Sequence, residues 1–533
     1  MKKLKRIMAL GLTLALSSTV IVGANAFATN TDTTAYKELN TYVDQTSFKD
    51  LNDLPSENEY TKIGVISDVH IQSDSWHRKG TPTEFCVEKF YLALDYYMRE
   101  EVDAILITGD FVSFGSARPD DDGDGIDEGD YPLMDWALEQ YFGSPDNPDM
   151  PSLLFVNGNH EYQEEIDAEG NRNYSMSDTQ VIWGRQKQYL QRWVDYDIYN
   201  GIESGDDRTG SACYSYVSGD ITVISLSPDR GGSYGNFSDM VINDLEKELA
   251  DAHARSNGKP ILLGIHYPWD TQQFGGSTGG DNGFKSGQSQ KIVKLFQKYP
   301  ELVVFSGHTH LTNLHARAIS QDNGYTAINV GSVHGPENAS KPTGAFVQYA
   351  NRGNYDVQAV TGLKEISRYH QWSQGMMVTY LEDSIKIDRV DFFKGAVYEC
   401  VDPWYIPYGI TADNIDQTHT YVVEKLKAAQ PTDSLTWDAT DKVTITDEFG
   451  VMYIRWPSVK EVNDVEGYVL TIRKNGKLVA ERDYMSNYWA APTERAYYGF
   501  IYNKVTDITG YTVEIKAVDF FGNVKPVGIT SIN

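Results

Sequence analysis

Residues 62–70 read Lys62-Ile63-Gly64-Val65-Ile66-Ser67-Asp68-Val69-His70, a short apolar run that ends in a carboxylate and an imidazole two positions apart. A run without polar alternation predicts a strand buried on both faces of its sheet. In extended chain, residues i and i+2 point the same way, so Asp68 and His70 share a face. The pattern recurs downstream. Ala104-Ile105-Leu106-Ile107 leads into Thr108-Gly109-Asp110, and Leu153-Leu154-Phe155-Val156 into Asn157-Gly158-Asn159-His160-Glu161. Ile261 to Ile265 leads into His266-Tyr267-Pro268, and Leu302 to Phe305 into Ser306-Gly307-His308-Thr309-His310. Between the first two runs, Phe85, Phe90, Leu94 and Tyr97 recur at helical spacing. Buried strands alternating with helices predict an α/β domain. Polar groups at strand carboxyl ends converge on one rim, where open sheets place their sites.

Five of the eleven histidines fall in these strand-end motifs. Asp, Asn and His together are mixed oxygen and nitrogen donors, suited to manganese, iron or zinc more than to calcium. A carboxylate between two ions holds them about 3.5–4 Å apart, the spacing of two-metal phosphoryl-transfer sites. Glycines beside Asp110, Asn159 and His308 let the backbone turn sharply next to the ions.

In chain order, the motifs D-x-H, G-D, G-N-H-E, an isolated His and G-H-x-H resemble the calcineurin-like metallophosphoesterase superfamily. The resemblance runs from about Lys62 to Asp391, with 375–392 reading like closing strands. It implies a four-layer α/β/β/α sandwich of two mixed sheets flanked by helices. It implies two divalent or trivalent ions, one held by Asp68, His70 and His310, the other by Asn159, His266 and His308, with Asp110 bridging. His160 would then face the substrate, protonating the leaving oxygen or stabilising charge, and a hydroxide between the ions would attack phosphorus. Glu161 reads as a neighbour that orients a loop or ligand.

Other residues near these motifs are candidate substrate contacts: His77, Tyr267 and His334. His253, His315, His370 and His419 read as structural or solvent-exposed. An insert carries Asp120, Asp122 and Asp124 at alternate positions before Gly125, like the first half of an EF-hand-type calcium loop. Position twelve is Tyr131 where a glutamate is expected, so a structural calcium site and a solvated acidic loop both remain open. A Gly/Ser stretch at 275–280 reads equally as a mobile flap or a loose connection.

The ends of the chain are of other kinds. Met1–Ala26 has a charged start (Lys2, Lys3, Lys5, Arg6), an apolar run from Ile7 and a small-x-small Ala24-Asn25-Ala26, the pattern of a secretory signal peptide. Residues 27–60 read as a leader or linker, 61–410 as the α/β domain and 411–435 as a connector with a helix over 414–429. Residues 436–533 alternate apolar and polar positions without helical period, with a hairpin signal at Asn475-Gly476. They predict a small all-β sandwich, and Tyr511 to Asn523, with the Trp456 strand, resembles a fibronectin type III module.

The 533 residues carry a net charge of −29, and loss of Met1–Ala26, with four positive and no negative charges, takes it to −33. Such a field repels polyanions, so nucleic-acid binding is not expected. Three cysteines are too few for a disulfide scaffold. The expectation is a secreted or extracellular binuclear-metal phosphoesterase acting on phosphodiesters or small organic phosphomonoesters, with no membrane span after signal cleavage. The alternative is an adhesion or polymer-binding protein that contacts a cell surface or polymer through its C-terminal sandwich.

Overall fold

The computed structural model describes residues 60–72, 84–117, 129–163, 179–201, 208–230, 236–269, 287–334, 373–430, 434–448, 450–488, 491–502, 505 and 507–531. The signal-peptide and leader readings, the acidic loop with Asp120, Asp122 and Asp124, His77 and the Gly/Ser stretch at 275–280 lie outside the described residues.

Two sheets build the first domain. One contains β1 (Lys62–Ile66), β2 (Ala104–Ile107), β3 (Ser152–Phe155), β10 (Gln374–Tyr380), β11 (Ser384–Asp391), β12 (Ala396–Val397) and β13 (Trp404–Pro407). Its order is β12-β11-β10-β1-β2-β3, with β13 also on β11. β1, β2 and β3 run parallel, while β10 joins β1 antiparallel, Val65 opposite Met376. The other contains β4 (Cys213–Ser218), β5 (Ile221–Leu226), β6 (Ile261–Gly264), β7 (Leu302–Ser306), β8 (Ile319–Ser320) and β9 (Thr326–Asn329), in the order β4-β5-β6-β7-β9-β8. Strands β5, β6, β7 and β9 are mutually parallel. Both sheets are mixed.

Alternate residues on the facing sides form one core. Ile63, Val65, Ala104, Leu106, Met376 and Val378 from one sheet join Val223, Leu262, Val303, Phe305 and Ile328 from the other. The sheets approach so closely at Gly264 that a Cβ there would lie 2.7 Å from a Leu106 methyl. The opposite faces carry helices. From α1 (Glu84–Arg99), Tyr97 lies over Gly64, and its hydroxyl reaches the Val65 and Met376 carbonyls at 3.0 and 2.8 Å. Further helices are α2 (Asp130–Phe142), α3 (Thr179–Leu190), α4 (Asp239–Arg255) and α5 (Gly287–Phe296). Helix α4 starts at Ser238, whose hydroxyl accepts the Val241 N–H, and buries Val241, Leu245, Leu249 and Ala252 along one stripe. Arg255 at its end bonds Thr222 of β5. Helix, sheet, sheet and helix make the α/β/β/α sandwich.

The connector differs from expectation. Instead of one helix over 414–429 there are α6 (Ile415–Thr418) and α7 (Val423–Ala429). Side-chain competition breaks the helix: buried His419 reaches the Pro300 carbonyl at 3.1 Å, and the Tyr421 N–H donates to the Gln321 side chain at 2.9 Å.

The C-terminal strands form an antiparallel three-stranded sheet, β14 (Thr444–Glu448), β15 (Val451–Pro457) and β18 (Tyr497–Ile501). A four-stranded antiparallel sheet accompanies it: β16 (Val465–Lys474), β17 (Lys477–Met485), β19 (Tyr511–Asp519) and β20 (Val524–Thr530). Met452, Ile454 and Trp456 of the first share a core with Tyr468, Leu470, Ile472, Val513 and Ile515 of the second, as a β-sandwich requires. Asn475 and Gly476, both at positive φ, turn β16 into β17. Residues 60–137 and 145–533, including both β-rich parts, form one compact unit.

Candidate metal centre

Five of the seven ligand-type residues leave their strands through left-handed backbone. Asp68 (φ 53°), His70 (52°), Asp110 (51°), His308 (70°) and His310 (49°) are five of nine described non-glycine residues with positive φ. Each such residue costs of order 1–3 kcal/mol, so the surroundings must hold it. They do so by zipping the loops together. The Asp68 N–H donates to the Gly109 carbonyl at 3.0 Å, His70 N–H to Asp110 at 2.9 Å, and His334 N–H to Asp68 at 2.9 Å. The His308 N–H lies 3.1 Å from both Asp68 carboxylate oxygens. Glycines keep the centre open at two contacts: a Cβ on Gly158 would lie 2.2 Å from Asp110 Oδ1, and one on Gly307 would lie 2.4 Å from Asp68 Oδ2.

The side chains gather around two points. Asp68, His70, Asp110 and His310 bring donor atoms within 4.8 Å of one another, and so do Asp110, His266 and His308. In the first group, His310 Nε2 is 3.2 Å from Asp68 Oδ1 and 3.0 Å from His70 Nε2. In the second, His266 Nε2 is 3.0 Å from Asp110 Oδ2. Asn159 Oδ1 completes this group, 3.2 Å from His266 Nε2 and 2.9 Å from His308 Nδ1. All seven expected ligand residues thus meet, and Asp110 is common to both groups. A neutral amide oxygen, imidazoles and two buried carboxylates fit two borderline-hard cations.

The electrostatics follow from this crowding. Burial lowers the pKa of His70 well below the usual imidazole range, aided by His160 and His310. Burial likewise lowers His308 to about 3, with His266 the next contributor. Burial opposes charge on Asp110 and His266, but their mutual attraction prevails. Asp110 falls well below the carboxylate range, with His160 and His70 adding to the effect, and His266 rises to about 9.

The surrounding shell orients these groups. His266 Nδ1 lies 2.9 Å from the Thr108 carbonyl; an N–H there donates to it and turns Nε2 towards the centre. His160 Nδ1 lies 2.8 Å from the Ser113 carbonyl, which leaves Nε2 as its free edge, and its ring meets His70 edge-on at 4.5 Å. Glu161 is fully buried and accepts N–H groups from Asp110, Val112 and Gly158 at 3.1, 3.1 and 2.5 Å. Burial and then Asp110 push its carboxyl up to about 8 against the pull of those donors. The Thr108 and Ser113 carbonyls were not foreseen, since a backbone acceptor leaves no mark on residue type.

The three expected substrate contacts separate. The His334 ring stands 5.4 Å from His70 and 6.3 Å from His310, beside the first group. Tyr267 is 1% exposed, with its ring 4.8 Å from His308 and 5.1 Å from His266, beside the second group. His77 lies outside the described residues. Among the described residues, no helix is long and apolar enough to cross a membrane.

Residues 61–311 match the model of the calcineurin-like phosphoesterase family. No curated protein matches the chain. Among solved structures, a dimetal phosphatase from Danio rerio is similar at 13% identity and TM-score 0.36, covering 65% of this chain and 99% of its own. Purple acid phosphatase PPD1 from yellow lupin (Lupinus luteus) is similar at 13% identity and TM-score 0.40, covering 72% of this chain and 58% of its own. The matched stretch, residues 61–311, contains all seven ligand-type residues.

Proposed function

We propose that the protein is a secreted phosphoesterase that hydrolyses phosphodiesters or small organic phosphomonoesters at a binuclear centre. The observation that carries this reading is Asp110, whose carboxylate belongs to both donor groups while also accepting the His160 N–H at 2.9 Å. Asp68, His70 and His310 would hold one ion and Asn159, His266 and His308 the other. When bound, the pair supplies charge neutralisation at phosphorus and a water acidified toward neutral pKa.

The chain supplies the rest. His160, oriented by the Ser113 carbonyl, presents Nε2 to the leaving oxygen and gives it a proton. His334 lies close enough to the first group to contact a substrate's phosphoryl or leaving portion. Glu161 ties the loop after β2 to the loop after β3, so that Asp110 and Asn159 keep their spacing. Secretion rests on the pattern of residues 1–26, and the seven C-terminal strands in sheets of three and four support a fibronectin type III-like module.

The test is turnover of bis-p-nitrophenyl phosphate and p-nitrophenyl phosphate by the chain from Phe27, loaded with manganese, beside Asp110→Asn. Turnover lost in the variant supports the reading, and the preferred substrate separates diesterase from monoesterase. Absence of turnover with manganese, iron or zinc counts against it.

A further inference from the structure

The G-H-x-H loop does not end at the metal centre. Leaving His310, the chain runs through Leu311, Thr312, Asn313 and Leu314 to His315, every one of them buried. Each step is tied. The Asn329 amide donates to the Leu311 carbonyl at 3.0 Å, and Gln374 Nε2 donates to the Thr312 hydroxyl at 3.1 Å. The Asn313 N–H donates to Gln374 Oε1 at 3.1 Å, and its amide to the Val330 carbonyl at 2.9 Å. No slack separates the ligand from His315.

His315 ends this run packed against the C-terminal sandwich. It is fully buried, and its Nδ1 accepts the Arg317 N–H at 2.9 Å, so Nε2 carries the hydrogen. Nε2 faces the buried Glu466 carboxylate of β16 at 3.7 Å. The ring packs on Phe520 at 4.5 Å and Tyr488 at 5.8 Å, and those two rings meet each other at 4.9 Å. The receiving side is stiff. Asp519 accepts the Phe521 and Asn523 N–H groups at 2.9 and 3.0 Å and pairs with buried Lys525 at 3.0 Å, which fixes the turn that carries Phe520.

We infer that the C-terminal sandwich is a working part of the metal centre: by clamping His315, it positions His310, and so sets the affinity of the ion that Asp68, His70 and His310 would hold. His315, Glu466 and Phe520 are positioning residues. A module serving only as a spacer or an adhesive has no need to bury a histidine five positions from a metal ligand. The second ion is less dependent on the clamp: of its ligands only His308 shares this loop, while Asn159 and His266 come from loops after β3 and β6 that lack the tether.

The inference rests on the binuclear reading, so manganese titration of the wild-type chain comes first, by calorimetry and by the electron paramagnetic resonance of coupled manganese pairs. Two bound ions uphold that reading; none overturns both. Phe520→Ala and Glu466→Gln in the full chain are then expected to weaken one manganese equivalent by about tenfold and the other by clearly less. His315→Gln, which keeps a donor toward Glu466 and an acceptor for Arg317, is expected to stay near wild type, whereas His315→Ala follows Phe520→Ala. Glu466→Gln keeps the shape of the site and carries the test if Phe520→Ala does not fold. Equal weakening of both ions, or of neither, in a folded variant overturns the inference.

Discussion

The backbone N–H of His160 donates to Oδ1 of Asp110 at 2.9 Å, while Oδ2 of the same carboxylate stands 3.0 Å from His266. The carboxylate common to both donor groups thus also holds the backbone of His160, the proposed proton donor. His160→Ala keeps that backbone bond and loses only the imidazole. Its kcat is expected to fall by about 10²–10⁴-fold with alkyl esters and much less with nitrophenyl esters, whose leaving oxygen needs little protonation. Manganese stoichiometry, measured in parallel, should stay at the wild-type value.

Glu161→Gln replaces an oxygen that accepts N–H groups with an amide that opposes one of them. The loops carrying Asp110 and Asn159 then lose a common acceptor. A folded protein with metal affinity reduced by about 10–100-fold is expected, read by competition with a chelator.

Gly64→Ala tests the helix-on-sheet packing. The added Cβ would lie 2.8 Å from the Tyr97 ring, which its two hydroxyl contacts hold in place. Overpacking of this kind costs about 1–3 kcal/mol, measurable by denaturant unfolding. If Tyr97 is the obstacle, Tyr97→Leu in the same chain recovers part of the loss.

The clamp at His315 carries a pH signature. Burial lowers its pKa from the ordinary 6.5, against the raising influence of Glu466, with Arg317 lowering it further and Tyr488 packed beside the ring. Below about pH 6.5 the unfolded chain takes up a proton that the native state resists, so stability falls with acidification until the native value is reached. Thermal unfolding of His315→Gln should lose less stability than wild type between pH 7 and 5.

Much of the first domain was legible because its strands are short, wholly apolar and terminated by ligating residues. Ile63–Ile66, Ala104–Ile107 and Leu302–Phe305 show this plainly. The hairpin of β4 and β5 was missed: Tyr214, Ser215 and Tyr216 are half-buried and mixed in character, so no clean period marks them. The break at His419 was missed because it depends on Pro300 and Gln321, more than 90 residues away in sequence. The seven ligand-type residues were legible through the motifs that carry the family resemblance, but the left-handed backbone of five of them was not, since Asp and His are enriched there without being confined to it.

His70 and His310, 240 positions apart, touch within 3.0 Å. Strand β1, which delivers the first, gains its antiparallel neighbour only when β10 pairs with it. The metal centre therefore needs chain segments far apart in sequence before both donor groups are complete. The first half of the chain contains Asp68, His70, Asp110, Asn159 and His266, but neither His308 nor His310. Capture of both ions would therefore report that the chain has been made at least as far as His310, and a product that stops before His308 lacks a donor from each group.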